Sequence, residues 1–120
     1  MPPRAIPAPS FAPPHRVLLL VAATPGWYDA SDDERSRALD EMSALFARVV
    51  ERGARLVGSM DDDLFVTGQP ASLPYSIYVL YDVDELEPVV QLVHELRASE
   101  LRRLLRVEAR IGRPLFLLDN

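Results

Sequence analysis

The sequence predicts an α+β fold in which one four-stranded antiparallel sheet carries two helices on one face. Three observations support this prediction. An apolar run at residues 17–23 leads through a turn into a capped amphipathic helix, and residues 75–81 (YSIYVLY) are strong strand formers. A second helical pattern then precedes a strand at 105–111 that alternates apolar and charged residues. The resulting order, strand–helix–strand–strand–helix–strand, is the ferredoxin-like arrangement.

The first half of the chain predicts a buried strand and a long helix. The strand spans His15–Ala23 and is apolar on both faces, as expected when both faces are covered. The turn residues TPG at 24–26 end it. Ser31 and Glu34 have the spacing of a capping box at the start of the helix, and Gly53 follows its last turn. The residues predicted to face the core are Leu39, Met42, Leu45, Phe46, Val49 and Val50.

The second half predicts a hairpin, a helix and a final strand. Strands at 54–60 and 75–81 should pair as an antiparallel hairpin with a long connection. The second helix is predicted to begin at a cap around Asp84, with Pro88 in its first turn. Its predicted inner positions are Leu86, Val89, Val90, Val93 and Leu96 or Arg97, with Leu92 on the flank. His94 lies on or beside this stripe, and the helical pattern can continue to Arg103. The last strand follows, and the apolar segment 115–118 is expected to dock on the domain.

Composition and chain organisation narrow the functional classes. Residues 1–14 contain six of the eleven prolines and predict a flexible tail, in which Phe11 and its neighbours could instead pack across a subunit or cover a pocket. Residues 15–120 form one domain, because 120 residues allow a single core. The apolar run 17–23 is shorter than the roughly 20 residues of a membrane span, so no membrane association is predicted. A secretory signal is disfavoured because prolines precede this run and a capped helix follows it.

Charge and cysteine content exclude further classes. The net charge of −5 argues against a nucleic-acid partner, because such binding normally needs a basic face. The absence of cysteine excludes disulfides and thiolate ligands and is compatible with a predicted cytoplasmic location. The two histidines, His15 and His94, do not have metal-site spacing, so no metal is predicted. The glycines form no phosphate-binding loop such as GxxxxGK or GxGxxG, and no cofactor is predicted.

The predicted sheet has one face that the helices do not cover. That face would carry Leu18, Leu20, Val57, Tyr78 and Leu80, or the residues that alternate with them. So much exposed apolar area is unusual in a monomer, and a second copy of the chain would cover it. A homodimer is therefore predicted. The alternative is a monomer in which Phe11 and residues 115–118 cover the face.

Two features of the chain resemble known protein families. The order of elements over residues 15 to about 117 is similar to that of the dimeric α/β barrel superfamily, which includes small cofactor-free monooxygenases, muconolactone isomerase and YCII-like proteins. The segments ATPGW at 23–27 and SDDER at 31–35 resemble the darcynin-type family within it. The proline-rich tail and the long 61–74 connection depart from that family. The superfamily resemblance implies a homodimer with a pocket between helices and sheet for a hydrophobic or aromatic small molecule, and no catalytic residue is carried over.

Five residues are candidates for the site. His94 is predicted to move a proton and Arg97 to hold a negative oxygen, while Trp27, Tyr28 and Tyr78 are predicted to bind an aromatic ligand. Structural roles remain open for each: a satisfied histidine at a helix rim, a staple closing one end of the barrel, or interface packing. The function is accordingly that of a cofactor-independent isomerase, cyclase or monooxygenase of small hydrophobic or aromatic metabolites. The alternative is a non-catalytic ligand-binding or assembly protein on the same fold.

Two charged clusters have weaker functional interpretations. The carboxylates at 61–63 could suggest a hard cation, but consecutive acids point in different directions, so a solvated turn is favoured. Arg106, Glu108 and Arg110 could bind a carboxylate substrate, although interface ion pairs or a hydrated face are the favoured interpretation.

Overall fold

The structure is a computed structural model that describes residues 5–8, 12–68 and 75–118. The predictions for Phe11, for the first four residues and for most of the 67–74 loop lie outside these residues. The elements are β1 His15–Ala23, α1 Pro25–Asp29, α2 Asp32–Glu51, β2 Arg55–Asp61, β3 Ile77–Val83, α3 Glu87–Ala98, a 3₁₀ turn Glu100–Arg103 and β4 Leu105–Gly112.

The four strands form one antiparallel sheet in the order β2-β3-β1-β4. β1 pairs with both β3 and β4, so β2 and β4 are the edges. A bulge between Leu56 and Gly58 shifts the register of β2 against β3. This arrangement confirms the predicted α+β, ferredoxin-like fold.

The core lies between the helices and one face of the sheet. Val17, Leu19 and Val21 alternate along β1 on this face and are buried. Tyr81 on β3 is fully buried beside them, and its hydroxyl donates to the carbonyl oxygen of Phe46 in α2 at 3.2 Å. The same burial raises the pKa of Tyr81. β1 is therefore an inner strand whose helix-facing side forms much of the core.

The long helix α2 has the predicted ends and a corrected inner face. The Ser31 hydroxyl accepts from the Glu34 amide at 3.2 Å, and the Glu34 carboxylate accepts from the Ser31 amide at 3.3 Å, which confirms the capping box. Gly53 has φ +115°, the conformation that favours glycine after a helix. The buried positions are Ala38, Met42, Leu45 and Val49. Leu39 and Val50 are 45% and 44% exposed, because each lies one residue, about 100° around the axis, from a buried position.

The helix α3 differs more from the prediction. It begins after Leu86 without a side-chain cap, and Asp84 instead pairs with Arg55 at 3.3 Å. Leu92, predicted on the flank, is fully buried, whereas Val90, predicted inside, is 57% exposed. The predicted cap was therefore wrong. The predicted stripe was right for Val89 and Leu96 and wrong for Val90 and Leu92, because the helix is rotated so that its buried positions are 88, 89, 92 and 96.

Other boundaries shift by short distances. The predicted turn after β1 is the short helix α1, and helicity does not run continuously to Arg103. Ser99 ends α3, and its hydroxyl accepts from the Leu101 amide at 2.9 Å, which starts the 3₁₀ turn. β3 begins at Ile77, two residues after its predicted start. The segment Leu115–Leu118 does not dock as expected, since its side chains are between 38% and 65% exposed.

Two carboxylates make the stability of the fold pH-dependent. The face of the sheet that the helices do not cover is called the open face. On it, Arg16 donates from Nε and Nη2 to Asp82 at 2.9 and 3.0 Å, and these hydrogen bonds lower the pKa of Asp82. Between the helices, Arg52 and Arg48 donate to Glu95 at 2.6 and 3.2 Å and lower its pKa. A carboxyl whose pKa is lower in the folded state stabilises the fold above its unfolded pKa of roughly 4 and loses that contribution as pH falls.

We therefore expect the free energy of unfolding to fall between about pH 5 and pH 3. Asp82→Asn should make this fall shallower, because the hydrogen-bonded carboxylate no longer titrates. Denaturant titrations at several pH values measure the slope. Asp40→Asn is the matched control, because Asp40 is an exposed acid of α2 with no ion pair among the described residues. Parallel pH profiles for Asp82→Asn and the unaltered protein would contradict the assignment.

Candidate functional site

A concavity lies beside the edge strand β4, at the C-terminal end of α3. It has a volume of about 580 Å³, within the range of small-molecule sites. Clefts beside α2 and on the open sheet face measure about 280 and 240 Å³. The residues that line it are Thr24, Val93, Leu96, Arg97, Arg102, Leu105, Arg106, Val107, Glu108 and Ala109. We call it the α3–β4 cleft.

The floor of the α3–β4 cleft is apolar. Leu96 and Leu105 are buried core residues that close its base, while Val107 and Ala109 are half-buried on the helix side of β4. Val93 adds a half-buried wall from α3. Such a surface suits the body of a hydrophobic or aromatic molecule.

The rim of the cleft is cationic. Arg97 comes from the last turn of α3, Arg102 from the 3₁₀ turn and Arg106 from β4, and all three are exposed. The one acid of the lining, Glu108, is already paired, because Arg110 Nη2 lies 3.1 Å from its carboxylate. The cleft therefore carries excess positive charge in a chain whose net charge is −5.

One end of the cleft is held by backbone contacts between α1 and the 3₁₀ turn. The Thr24 hydroxyl donates to the Arg103 carbonyl oxygen at 2.6 Å, and the Thr24 amide donates to that of Leu104 at 3.0 Å. Gly26 packs so closely that an added Cβ would lie within 3.0 Å of the Arg103 carbonyl oxygen. The glycine is thus required by close approach of two backbones.

The two predicted catalytic residues occupy different environments. Arg97 lines the α3–β4 cleft, where a guanidinium can hold a negative oxygen. His94 is exposed on α3 and is not part of the cleft lining. Within one chain, the α3–β4 cleft therefore does not place His94 where it could transfer a proton to a ligand in that cleft. The catalytic assignment of both residues stays a prediction.

The predicted aromatic residues do not meet at this cleft. Trp27 packs on the core under Arg35, whose guanidinium lies 5.8 Å from the ring centroid and whose Nε donates to the Trp27 carbonyl oxygen at 2.8 Å. These contacts are those of a structural staple. Tyr28 is 73% exposed, and the Arg35 Nη2 donates to its carbonyl oxygen at 2.9 Å.

Tyr78 lies on the opposite face of the sheet. Its hydroxyl is 2.9 Å from the Asp62 carboxylate and 3.0 Å from the Tyr75 carbonyl oxygen, and the bond to Asp62 raises the pKa of Tyr78. Its strand neighbours are Leu20 and Met60, so its surroundings are those of the open face. Ligand binding by Trp27, Tyr28 and Tyr78 stays a prediction that the α3–β4 cleft does not require.

The sequence did not predict that Arg102 and Arg106 line the same cleft as Arg97. No functional role was predicted for Arg102, and Arg106 was grouped with Glu108 and Arg110 rather than with Arg97. The sequence did contain a signal for a cationic site, because five of the thirteen basic residues fall between 97 and 110 in an acidic chain. Their convergence depends on the break at Ser99, which the helical pattern did not predict.

Among residues 5–8, 12–68 and 75–118, no group of three or more histidine and acidic side chains could hold a metal ion. Within the same residues, no helix combines the length and hydrophobicity needed to cross a bilayer.

Comparison with solved structures identifies the fold. No protein-family model and no curated protein matches the chain. The RPA0582 protein of unknown function from Rhodopseudomonas palustris aligns with a TM-score of 0.57 and 20% identity, covering 85% of this chain and 82% of that one. Its methylated form aligns with a TM-score of 0.57, 19% identity and coverages of 87% and 82%.

A third structure is a larger protein. TA0507, provisionally named a chlorite dismutase, aligns with a TM-score of 0.52 and 23% identity over 84% of this chain. The chain spans 44% of the length of TA0507. At these identities the likeness shows the fold alone. The chain therefore shares its ferredoxin-like α+β fold with these structures. Its resemblance to the dimeric α/β barrel superfamily and to the darcynin-type family stays a prediction.

Proposed function

We propose that the protein binds a small hydrophobic or aromatic molecule in the α3–β4 cleft. The observation that carries this proposal is the cleft itself, about 580 Å³ with an apolar floor and three guanidinium groups at its rim. Among sites of this size, an apolar base with a few polar groups is typical of small-molecule binding. The likeness to TA0507 supports the fold and not its chemistry.

A cofactor-independent reaction in this cleft is the second candidate. Arg97 would stabilise a negative oxygen as it develops on the substrate. Electrostatic stabilisation of this kind is usually the largest single contribution to catalysis. Proton transfer would need a base in the cleft, and Glu108 is the carboxylate that lines it. Because Glu108 is paired with Arg110, binding has more support in the geometry than catalysis.

We also propose that the protein works as a homodimer through the open face of its sheet. Leu18 and Leu80 are direct partners on β1 and β3 and are only partly buried in one chain, with Tyr78 beside them. On β2, Met60 extends the patch and is 59% exposed. A second copy placed on this face would remove the patch from water, as a self-complementary interface does.

The binding proposal is tested by filling the cleft. 2-Naphthamide, a neutral aromatic probe, should bind once per chain with a Kd on the order of 0.1–1 mM, as expected for about a dozen heavy atoms. Val93→Trp should weaken this binding at least tenfold, because the indole occupies the apolar wall. Amide chemical-shift titrations measure the affinity and show whether the shifts map to α3 and β4.

The matched control is Val90→Trp on the exposed side of the same helix. It adds the same ring outside the cleft and should leave the Kd within a factor of two. Saturable binding that Val93→Trp leaves unchanged, or no binding by the unaltered protein, would contradict the proposed function.

A further inference from the structure

The arginines of this chain divide sharply by their partners. All thirteen basic residues are arginine, and twelve of them lie in the part of the chain that the structure describes. Seven form ion pairs with carboxylates, namely Arg16, Arg35, Arg48, Arg52, Arg55, Arg103 and Arg110. Arg37 and Arg113 donate to backbone carbonyl oxygens. The remaining three, Arg97, Arg102 and Arg106, have no ion pair or hydrogen bond with a described residue.

These three arginines line the same cleft although they come from three elements. Arg97 belongs to α3, Arg102 to the 3₁₀ turn and Arg106 to β4. Acids are abundant in the chain, since eighteen aspartates and glutamates outnumber its basic residues. Even so, the carboxylate nearest to these arginines in the lining, Glu108, is paired with Arg110. Local compensation of charge is thus the rule in this protein, and the α3–β4 cleft departs from it.

The neighbouring cleft beside α2 illustrates the usual pattern. It is also lined by charged residues, but Arg103 lies 2.8 Å from Glu100 and 4.0 Å from Glu34. The Glu41 carboxylate accepts from the Ser99 hydroxyl at 2.6 Å. Its charges are therefore satisfied within the protein, and it offers no comparable excess of donors.

We infer that the ligand of the α3–β4 cleft carries an oxyanion, such as a carboxylate, on an apolar body. This inference rests on the proposed function and names the chemical class of its ligand. The apolar floor formed by Val93, Val107 and Ala109 takes the body of the ligand. The guanidinium groups of the rim take the oxyanion, because a planar guanidinium matches carboxylate geometry with two parallel hydrogen bonds.

The charge distribution predicts that anion binding in the cleft depends on ionic strength. A cationic cleft on a chain of net charge −5 attracts a small anion only over short distances, because the surrounding acids oppose it. The three arginines are exposed, so salt screens their attraction for an anion. Binding of an anionic ligand should therefore weaken as ionic strength rises, whereas binding of a neutral ligand of the same shape should not.

The test compares two probes of nearly equal shape, 2-naphthoate and its neutral amide, 2-naphthamide. The unaltered protein should bind 2-naphthoate at least tenfold more tightly at low salt, and the preference should shrink in 0.5 M sodium chloride. Arg97→Gln, Arg102→Gln and Arg106→Gln should together reduce the preference to less than twofold while leaving the amide affinity within twofold. The single variants then show which guanidinium contributes most.

Arg37→Gln is the matched control, because it removes the same charge from α2 outside the α3–β4 cleft. It should leave the affinities for both probes within a factor of two. Sedimentation of each variant checks that the oligomeric state, and hence the cleft, is unchanged.

The outcomes separate this inference from the proposed function. Equal binding of both probes to the unaltered protein, or a preference that survives in the triple variant, overturns the anion inference and leaves small-molecule binding intact. Binding of neither probe overturns both proposals. A preference for 2-naphthoate that the triple variant loses and Arg37→Gln keeps supports both.

Discussion

Gly26→Ala should destabilise the protein by about 2 kcal/mol, because overpacking against a fixed backbone costs typically 1–3 kcal/mol. The added Cβ would meet the carbonyl oxygen of Arg103 within 3.0 Å and its carbonyl carbon at 3.3 Å. Neither side of this contact can yield easily. The 3₁₀ turn is anchored by buried Leu101, and Thr24 binds the Arg103 and Leu104 carbonyl oxygens at 2.6 and 3.0 Å.

Gly26→Ala should lower both the stability of the fold and the affinity of the α3–β4 cleft for its ligand. A loss of about 2 kcal/mol corresponds to a fall in the melting temperature of roughly 8 °C for a domain of this size. Thr24 and Leu105 line the α3–β4 cleft, so displacement of the 3₁₀ turn should also weaken 2-naphthamide binding. Denaturant titration at fixed protein concentration measures the free energy of unfolding.

Gly112→Ala is the control for this experiment. Apart from its chain neighbours, no described residue has an atom within 4 Å of a Cβ built at Gly112, and the φ of Gly112 is not positive. Its effect on the free energy of unfolding should stay within about 0.5 kcal/mol. If Gly26→Ala were equally mild, the close approach between α1 and the 3₁₀ turn would not hold in solution.

Leu80→Glu should abolish the proposed homodimer. Leu80 lies on the central strand β3, between Leu18 on β1 and Gly58 on β2, in the middle of the open face. A glutamate there would bury a charge in the interface of each of two symmetry-related copies, and taking an ion out of water costs several kcal/mol. We expect the dimer Kd to rise by at least about 1000-fold, which corresponds to roughly 4 kcal/mol.

Sedimentation equilibrium distinguishes the two states. The unaltered protein should sediment at twice the chain mass of 13.4 kDa, and Leu80→Glu at the chain mass itself. Leu39→Glu, on the partly exposed flank of α2, should remain dimeric. Circular dichroism checks that both variants are folded. An unaltered protein that sediments at 13.4 kDa at micromolar concentration would refute the dimer.

The elements that local sequence patterns specify well were predicted closely. β1 was predicted with the observed bounds, because a continuous apolar run between prolines and TPG has few other interpretations. The capping box at Ser31 and the positive φ of Gly53 depend on contacts within a few residues, so a local pattern is enough to predict them. The order of elements then indicated the sheet topology.

Predictions failed where the outcome depended on distant contacts. Val90 and Leu92 are both apolar and lie two residues apart, so periodicity alone allowed two rotations of α3, and packing against the sheet selected the one that buries Leu92. His94 moved to the exposed side with that rotation. Asp84 resembled a helix cap but pairs with Arg55 on β2.

The sequence by itself determined the fold class, the apolar β1 that helices cover on one side, and the capped start of α2. These features follow from periodicity, propensity and local hydrogen bonds. Only the tertiary structure decided where the candidate site lies. Arg97, Arg102 and Arg106 come together because the chain breaks at Ser99 and returns along the edge strand β4. That convergence is set by the packing of three elements, which no single stretch of sequence specifies.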